Sequence, residues 1–324
     1  MAEERLMKRW VLAFALLAAV PAIVVAQAYP TKAIRWIVPY PPGGSFDGFS
    51  RVVAAQMSIG LGQPVVVENR VGASGIIGTE AGVKSAPDGY TLVSGDNGTL
   101  VYNTVLYKKL SYDPRKDLEP IGVYARVPLF ITASEGTGIK TLQELIDRAR
   151  KTPGKITHSS SGNGSPQHLT MELLKRRTGI DLLHIPYKGA GAAMQDLLAG
   201  RVDISVMPLG SLTASGGKLV PIANADEKRM STLPDVPTVA ESGYPEFAAI
   251  AWWMMLVPAG TPADIIAQLS RELGNALVMP EVMKRAAAFG AESPVPSPEQ
   301  AKALIEKDRA VWAPLITSLG ITLD

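Results

Sequence analysis

The chain has 324 residues, a formal net charge of +2 and no cysteine. The lack of cysteine excludes disulfides, catalytic thiolates, cysteine-ligated zinc and iron–sulfur clusters. The balance of 32 basic against 30 acidic residues leaves no electrostatic footprint for nucleic acid, so we expect no nucleic-acid partner. A chain of this length can bury a core without disulfides, and it suggests two domains.

The first 28 residues have the pattern of a secretory signal peptide. Three basic residues within the first nine positions precede an apolar run over 10–26, which ends in small residues. The run is short for a membrane span. We therefore expect cleavage after Ala26 or Ala28 and a mature protein in the periplasm. An uncleaved membrane anchor is the alternative.

Short β-rich runs alternate with amphipathic helical patterns along the rest of the chain. Strands are predicted at 34–40, 65–68, 90–94, 129–133, 156–160, 182–186, 202–207 and 254–257. Helices are predicted at 47–59, 75–84, 142–151, 166–178, 190–199 and from the turn at 258–262 to about 277. Such alternation implies βαβ units, mostly parallel sheets and an α/β fold.

Breaks at 123–128 and 246–252 divide this alternation into two lobes. The apolar strand after the second break can rejoin the first sheet. We therefore expect a discontinuous first lobe of residues 29–125 plus 250–324 and a second lobe of residues 126–249. Two strands would then link the lobes.

The first candidate site is the loop at 40–47, between the first strand and the first helix. Two prolines stiffen its entry, and Gly43 and Gly44 let backbone N–H groups come close to a ligand. The helix that follows adds free N–H groups and the positive end of its dipole, which favour an anion. Asp47 is a candidate cap or first-turn acid. A tight turn that binds nothing is the alternative.

The second candidate site is the serine- and glycine-rich loop at 159–165. Ser165 occupies the position of a helix N-cap, and Pro166 occupies the first helical position. Small hydroxyls, glycines and a helix N-terminus together favour a second anion site over a flexible linker. His168 follows in the first turn, where we expect it to cap or pack rather than line the site.

Two further loops also follow strands. The loop at 187–191 offers the aromatic ring of Tyr187, and the loop at 94–99 offers polar donors that include Asn97 and Thr99. Lys188 is more plausibly solvated than bound to a ligand. In open α/β sheets, ligands bind beyond the carboxyl ends of strands, and all four loops have that position.

The chain carries no recognisable catalytic or metal-binding motif. Its three histidines, His158, His168 and His184, lack the i, i+4 spacing of a helical metal pair. No HExxH, EF-hand, Walker or GxSxG pattern occurs. We therefore expect no enzyme activity, no metal and no cofactor. The run at 252–255 favours core packing at a hinge strand over a ligand platform.

Ordered motifs over the whole mature chain give it a family resemblance. They are VPYPPGGSFD at 38–47, NRVGASGIIG at 69–78 with APDGYTL at 86–92, PYKG at 186–189, LPDVPTVAE at 233–241 and PAGTP at 258–262. In this order they resemble the Bug family, the TctC-like extracytoplasmic solute receptors of tripartite tricarboxylate transporters. The resemblance implies a type II periplasmic-binding-protein fold whose two lobes close over a ligand in a central cleft, as a Venus flytrap does.

The resemblance further implies that backbone amides, hydroxyls and ordered waters hold a carboxylate. Carried over by motif, the candidate ligand-binding residues are Tyr40, Gly43, Gly44, Asp47, Ser161, Asn163, Gly164, Ser165, His168 and Tyr187. Asn97 and Thr99 of the fourth loop complete the predicted set.

The chain departs from the family pattern in two places. The run ISVMPLG at 204–210 replaces a more polar sequence, and WMM at 253–255 stands where glycine is usual soon after the tryptophan. Both changes make the surroundings more apolar. They predict a ligand with an aromatic or aliphatic body instead of an amino group.

Together these observations predict a monomeric receptor that captures a small organic carboxylate for membrane transporter subunits. One alternative is a sensing module that presents its ligand-bound form to a membrane-anchored regulator. A secreted α/β enzyme acting on a carboxylate is the other alternative. Turnover with a pH–rate profile would indicate the enzyme, and a ligand-dependent partner other than a permease would indicate the sensor.

Overall fold

The computed structural model describes residues 29–294 and 297–323. The predicted signal peptide, residues 1–28, lies outside the described residues. By its internal contacts the chain divides into residues 1–31 and residues 32–324, and the fold described here is that of the second unit. Over the described ranges, no helix combines the length and hydropathy that a membrane span requires.

Within the described residues, nine strands form the sheet. They are β1 Ile34–Val38, β2 Val65–Asn69, β3 Thr91–Asp96, β4 Leu118–Ser134, β5 Thr157–Ser160, β6 Leu183–Pro186, β7 Ile204–Pro208, β8 Leu219–Asn224 and β9 Ile250–Pro258. Their order across the sheet is β2-β1-β3-β9-β4-β7-β5-β6, and β8 pairs with the same strand, β4, that β7 and β9 join.

Helices connect most of these strands. They are α1 Ser45–Leu61, α2 Ile76–Val83, α3 Asn103–Leu106, α4 Pro114–Asp117, α5 Leu142–Lys151, α6 Pro166–Thr178, α7 Ala190–Leu198, α8 Leu209–Ala214, α9 Ala263–Leu277, α10 Pro280–Phe289 and α11 Pro298–Leu319. A short π-helix, Gly98–Tyr102, and a 3₁₀ turn, Ala73–Gly75, lie between strands and helices of the first half.

Parallel pairing joins three strands at each end of the sheet. β1 runs parallel to β2 and β3, and β5 runs parallel to β6 and β7. β9 returns antiparallel to β3, as expected for a strand that rejoins the first sheet. Because parallel strands end at a common edge, the loops after β1, β2 and β3 emerge together, and so do those after β5, β6 and β7.

The strand β4 is much longer than the predicted strand at 129–133. Its first part pairs with β9, and its second part pairs with β7 and β8. Pro120 and Pro128 lie inside it, and the pairing with β9 shifts register twice. Prolines and register shifts hide a strand from pattern analysis. The division into lobes at 123–128 and 246–252 stays a prediction.

The helix α1 illustrates how the sequence pattern builds the first half. Phe46, Phe49, Val53 and Met57 recur at helical spacing and are buried, so one face of the helix covers the sheet. The helix ends at Gly62, whose φ of 65° glycine adopts without strain. It begins two residues before the predicted start, which places Asp47 inside the first turn.

Candidate ligand-binding site

The first loop exposes the uncapped end of a helix. Residues 41–45 are exposed, and Gly43 has a φ of 83°, which a residue with a side chain would adopt only under strain. Gly44 is the N-cap of α1, and no side chain caps the first turn. The first N–H groups of α1 therefore lack a side-chain acceptor at the N-cap, and the helix dipole at this end favours a negative charge.

Asp47 braces this loop from inside. Its side chain is buried, and its carboxylate accepts hydrogen bonds from Gly43 N at 2.9 Å, Asn69 Nδ2 at 2.8 Å and Arg51 Nε at 3.1 Å. Burial alone raises the pKa of Asp47, but the bonds from Arg51, Gly43 and Asn69 outweigh burial and lower the pKa. Both oxygens of the carboxylate therefore accept hydrogen bonds, and the ion pair with Arg51 offsets its charge.

Tyr40 ties the loop to the neighbouring strand. Its hydroxyl donates to Asp96 Oδ2 at 2.6 Å, and Asp96 Oδ1 accepts from Thr99 N at 2.8 Å. Burial raises the pKa of Asp96 and, together with the Asp96 charge, that of Tyr40. A Cβ added to Gly75 would lie 3.5 Å from the Tyr40 hydroxyl. The three loops of this edge thus meet at Tyr40.

Asn97 and Thr99 point into the protein. The Asn97 amide accepts from Trp252 N at 3.0 Å and donates to Asp308 Oδ2 at 2.7 Å, so it joins β3 to β9 and α11. Thr99 is fully buried and folds back onto Asp96. Both side chains have their partners inside the described protein, and a role in binding stays a prediction that no contact supports.

The second loop forms the helix start that its sequence predicts. Ser165 is the N-cap of α6, its Oγ accepts from His168 N at 3.3 Å, and Pro166 is the first helical residue. Ser161 Oγ donates to Gln167 Oε1 at 2.9 Å. Asn163 is exposed at the tip. The loop is therefore closed by its own side chains and presents its tip outward.

The third loop attaches to the second. Tyr187 N donates to Ser160 O at 3.0 Å, and Gly189 N donates to Ser161 O at 3.2 Å. The Tyr187 hydroxyl donates to Asp196 Oδ2 at 2.7 Å, which directs the ring along α7. Tyr187 thus holds two loops together.

The segment that follows β3 brings the two edges together. A Cβ added to Gly164 would lie 2.8 Å from Leu106 Cδ1, so the second loop lies directly against α3. Asn103, at the start of the same helix, donates to Ser74 O at 3.1 Å in the loop after β2. The first and second loops therefore both adjoin the residues 96–106.

The three histidines of the chain, which the sequence keeps apart, stack on one another behind the second loop. The rings of His168 and His184 lie 3.9 Å apart at 6°, and those of His158 and His184 lie 4.7 Å apart at 16°. His158 and His184 are register partners across β5 and β6. Parallel rings cannot turn their nitrogens toward one ion, and the described residues contain no group of metal-ligating side chains.

The stack is neutral at pH 7. Burial, with smaller effects from the charges of His184 and Lys175, lowers the pKa of His158 to about 2. Burial also lowers the pKa of His168 and of His184 to about 4. The Glu172 carboxylate, 3.8 Å from His168 Nε2, is therefore paired with Lys175 at 2.8 Å and not with a charged ring.

His168 also contacts the second loop directly. Its Nδ1 accepts from Gly164 N at 3.1 Å, and that bond requires Nδ1 to be unprotonated. The packing role expected for His168 is thus present, in a cluster that the sequence did not indicate.

Comparison with known proteins identifies the family. The sequence model of TctC, described as the tripartite tricarboxylate transporter family receptor, matches residues 49–321. The protein BugT of Bordetella pertussis is 39% identical over 309 residues, which cover 94% of this chain and 95% of BugT. The chain belongs to the TctC receptor family.

Solved structures agree with this assignment. A protein of R. palustris determined with adipate is 32% identical, with a TM-score of 0.79 over 91% of this chain and 99% of that one. MatC of Rhodopseudomonas palustris, determined with malate, is 30% identical, with a TM-score of 0.75 over 89% of this chain and 100% of that one. Solved relatives also include periplasmic binding proteins. The predicted α/β periplasmic-binding-protein fold and the Bug resemblance are confirmed.

In this family receptor, most residues that depart from the family pattern are core residues. Ile204, Val206, Met254 and Met255 are fully buried, so they cannot line a binding site. Trp253 is the member of the second run that stays partly exposed. In the first run, Pro208 and Leu209 are also partly exposed, so apolar surface near the loops can come from these two residues and from Trp253.

Two features of the receptor were not predicted from the sequence. Arg51 and Asn69 complete the brace around Asp47, although Asn69 lies within a quoted motif. Ala73 and Ser74 adopt φ values of 46° and 53°, a strained conformation for residues with side chains. Two glycines flank them in the sequence, which was the available signal for a left-handed turn.

A cavity of about 780 Å³ lies elsewhere in the receptor, between α11 and the segment at 226–250. None of the predicted ligand-binding residues lines it. Its wall carries two ion pairs, Arg126–Asp226 at 3.3 Å and Lys307–Glu227, which neutralise one another. We therefore place the candidate site at the loops and not in this cavity.

Proposed function

We propose that the chain is a periplasmic receptor that captures a small organic carboxylate and delivers it to the membrane subunits of a tripartite tricarboxylate-type transporter. It binds its ligand without turnover and acts as a monomer. The predicted signal peptide supports export, and membership of the TctC receptor family supports the role.

One observation carries the proposal: the uncapped N-terminus of α1 beside a neutralised acid. The first N–H groups of this helix need an acceptor, and Gly43 and Gly44 leave room for one. An acid in the first turn would repel an anion, but the Asp47 charge is held by Arg51 and Asn69. The site therefore favours a carboxylate over a neutral or cationic group.

The second loop is proposed as the opposing half of the site. It lies beside α3, the helix that follows the end of β3, so ligand contacts from both edges can form at once. In the proposed lobes, β4 and β9 cross the boundary and serve as the hinge. Closure gains free energy from contacts that both lobes make to one ligand.

The relatives support a carboxylate of modest size. One was determined with adipate, which has an aliphatic body, and one with malate, which is shorter and more polar. The proposed ligand of this receptor is of the first type, with an aliphatic or aromatic body, because Trp253 and Phe46 flank the first loop.

Isothermal titration of the protein from residue 29 onward tests the proposal. The panel contains adipate, malate, benzoate and, for comparison, glutamate. The key variant is Ser45→Pro, because proline fits the first position of a helix while removing one outward N–H group. Loss of one hydrogen bond to a charged ligand, about 1.5–3 kcal/mol, predicts roughly a 10- to 100-fold weaker affinity.

The matched control is Ala263→Pro at the first position of α9, away from the loops. It should leave affinity unchanged, with both variants melting near the wild-type temperature. No binding to any carboxylate in the panel would contradict the proposed function. Equal affinity of Ser45→Pro and wild type would contradict the role of α1.

A further inference from the structure

Two adjacent tryptophans in β9 have opposite environments. Trp252 is fully buried, and its indole N–H donates to Asp308 Oδ2 at 2.7 Å. Trp253 points to the other face of the strand, as alternation requires. It is partly exposed, and its N–H makes no hydrogen bond to any described residue. A tryptophan N–H away from water usually has a partner, so this donor is open to solvent or to a ligand.

The exposed tryptophan lies at the edge where the first loop emerges. In the pairing of β3 with β9, Trp253 is the register partner of Asp96, the residue that accepts the Tyr40 hydroxyl. Its ring centroid lies 4.7 Å from that of Phe46, and Phe46 lies 4.9 Å from Tyr40. These three rings form one aromatic layer of tilted rings that includes Phe46, a residue of the first turn of α1.

The layer sits within reach of a ligand body. Phe46 is in the first turn of α1 and its ring contacts that of Trp253, so we expect the carbons next to a carboxylate held by that turn to reach this aromatic layer. Aromatic faces gain contact with flat rings and with methylene chains. The Trp253 N–H adds a single donor at the rim of the layer.

From this geometry we propose that Trp253 determines the specificity of the receptor. Its exposed indole selects carboxylates with a flat aromatic or extended methylene body over short hydroxylated ones. This inference rests on the proposed function, and it names the residue by which the site distinguishes its ligands.

Two substitutions distinguish the contribution of the Trp253 ring from that of its N–H group. Trp253→Leu removes the indole face, and Trp253→Phe keeps a ring but removes the donor. In titrations, we expect Trp253→Leu to weaken adipate and benzoate roughly five- to tenfold and to change malate less than about twofold. Trp253→Phe should keep the order of preference.

The matched control is Phe49→Leu. Phe49 is fully buried and its ring lies 6.0 Å from that of Trp253, so its loss disturbs the same cluster without touching a ligand. We expect it to lower the melting temperature and leave the ratio of adipate to malate affinity unchanged. A merely structural role for Trp253 would make Trp253→Leu behave as this control does.

A second measurement needs no substitution that affects folding. Among the described tryptophans, Trp36, Trp252 and Trp312 are buried to 2% exposure or less, so acrylamide can quench Trp253 selectively. Saturating adipate should reduce the quenching of wild type, and Trp253→Phe should abolish that change.

The outcomes separate the two claims. Adipate binding with unchanged quenching, or with an unchanged preference in Trp253→Leu, overturns the inference and leaves the proposed function standing. Failure of wild type to bind any carboxylate of the panel overturns both. A loss of preference together with reduced quenching establishes Trp253 as the specificity-determining residue.

Discussion

The two predicted binding loops are held by different chemistry. Behind the first loop, the buried acid Asp47 is charged and satisfied by Arg51, Asn69 and a backbone amide. Behind the second, stacked histidines are uncharged, and His168 accepts the N–H of Gly164. One loop is braced by a compensated charge, and the other by the absence of charge.

Neither of these two braces adds an uncompensated negative charge to the proposed site, because Arg51 pairs with Asp47 and the histidines are neutral. An uncompensated carboxylate behind either loop would repel a bound anion electrostatically, even at a distance of several ångströms. The two braces differ, however, in their response to acid. The pKa of Asp47 is lowered, so its network persists in weak acid, whereas the pKa of His168 is lowered to about 4 from 6.5. Substitution and pH can therefore separate the two loops.

The largest expected effect follows from removing the acid of the first loop. Asp47→Ala removes the buried carboxylate that accepts from Gly43 N, Asn69 and Arg51. We expect the free energy of unfolding to fall by about 2–4 kcal/mol, measured by urea denaturation.

Asp264→Ala is the matched control for this substitution. Asp264 also occupies the first turn of a helix, α9, but its side chain is exposed. Its loss should cost only about 0.3–1 kcal/mol, the value of an acid near a helix N-terminus. Equal losses for the two variants would show that Asp47 is no brace.

The second prediction concerns the pH dependence of stability behind the second loop. A histidine whose pKa is lowered on folding stabilises the fold fully above its unfolded pKa, near 6.5. The contribution of His168 is lost as pH falls from about 6.5 toward 4. For one proton, the slope approaches about 1.4 kcal/mol per pH unit.

The difference between wild type and His168→Asn isolates this contribution. Asparagine keeps an acceptor for the Gly164 N–H but takes up no proton in this range. Wild-type stability alone is not diagnostic, because burial raises the pKa of Asp308 to about 6 and so acts in the opposite direction. Urea denaturation from pH 7 to pH 4 should give a smaller loss for His168→Asn. Parallel curves would contradict the assignment.

Local rules predicted the parts of the site that depend on neighbours in sequence. Ser165 as N-cap and Pro166 as first helical residue are confirmed, because capping involves only the residues of one turn. The glycine-rich first loop was found for the same reason. Its strand and helix follow from alternation and helical spacing alone.

Tertiary pairing determined what the sequence could not show. The histidine stack requires β5 beside β6 in one register and α6 above both, which no local spacing of His158, His168 and His184 reveals. The sequence indicates Asn97 as a candidate ligand residue, and only the structure shows that the π-helix after β3 directs its amide toward α11. Which way a loop side chain turns depends on such distant partners.

The smallest expected effect concerns backbone strain, which differs between the second loop and the turn after β2. In the second loop, the positive φ values fall on glycines such as Gly164, whereas in the turn after β2 they fall on Ala73 and Ser74 as well as on the flanking glycines. A left-handed conformation costs a residue with a side chain about 1–2 kcal/mol. Glycine regains this but loses about 0.4–1 kcal/mol through its freer unfolded state. Ala73→Gly should therefore raise the free energy of unfolding by about 0.5–1 kcal/mol.

Gly164→Ala is the reciprocal substitution and should have the opposite sign. Its φ is 73°, and its new Cβ would meet Leu106 at 2.8 Å, so strain and contact act together. The Ala73 side chain is exposed and its removal leaves no cavity. Urea denaturation of both variants should thus give one gain and one loss. A lower free energy of unfolding for Ala73→Gly would mean that the turn after β2 stores no backbone strain.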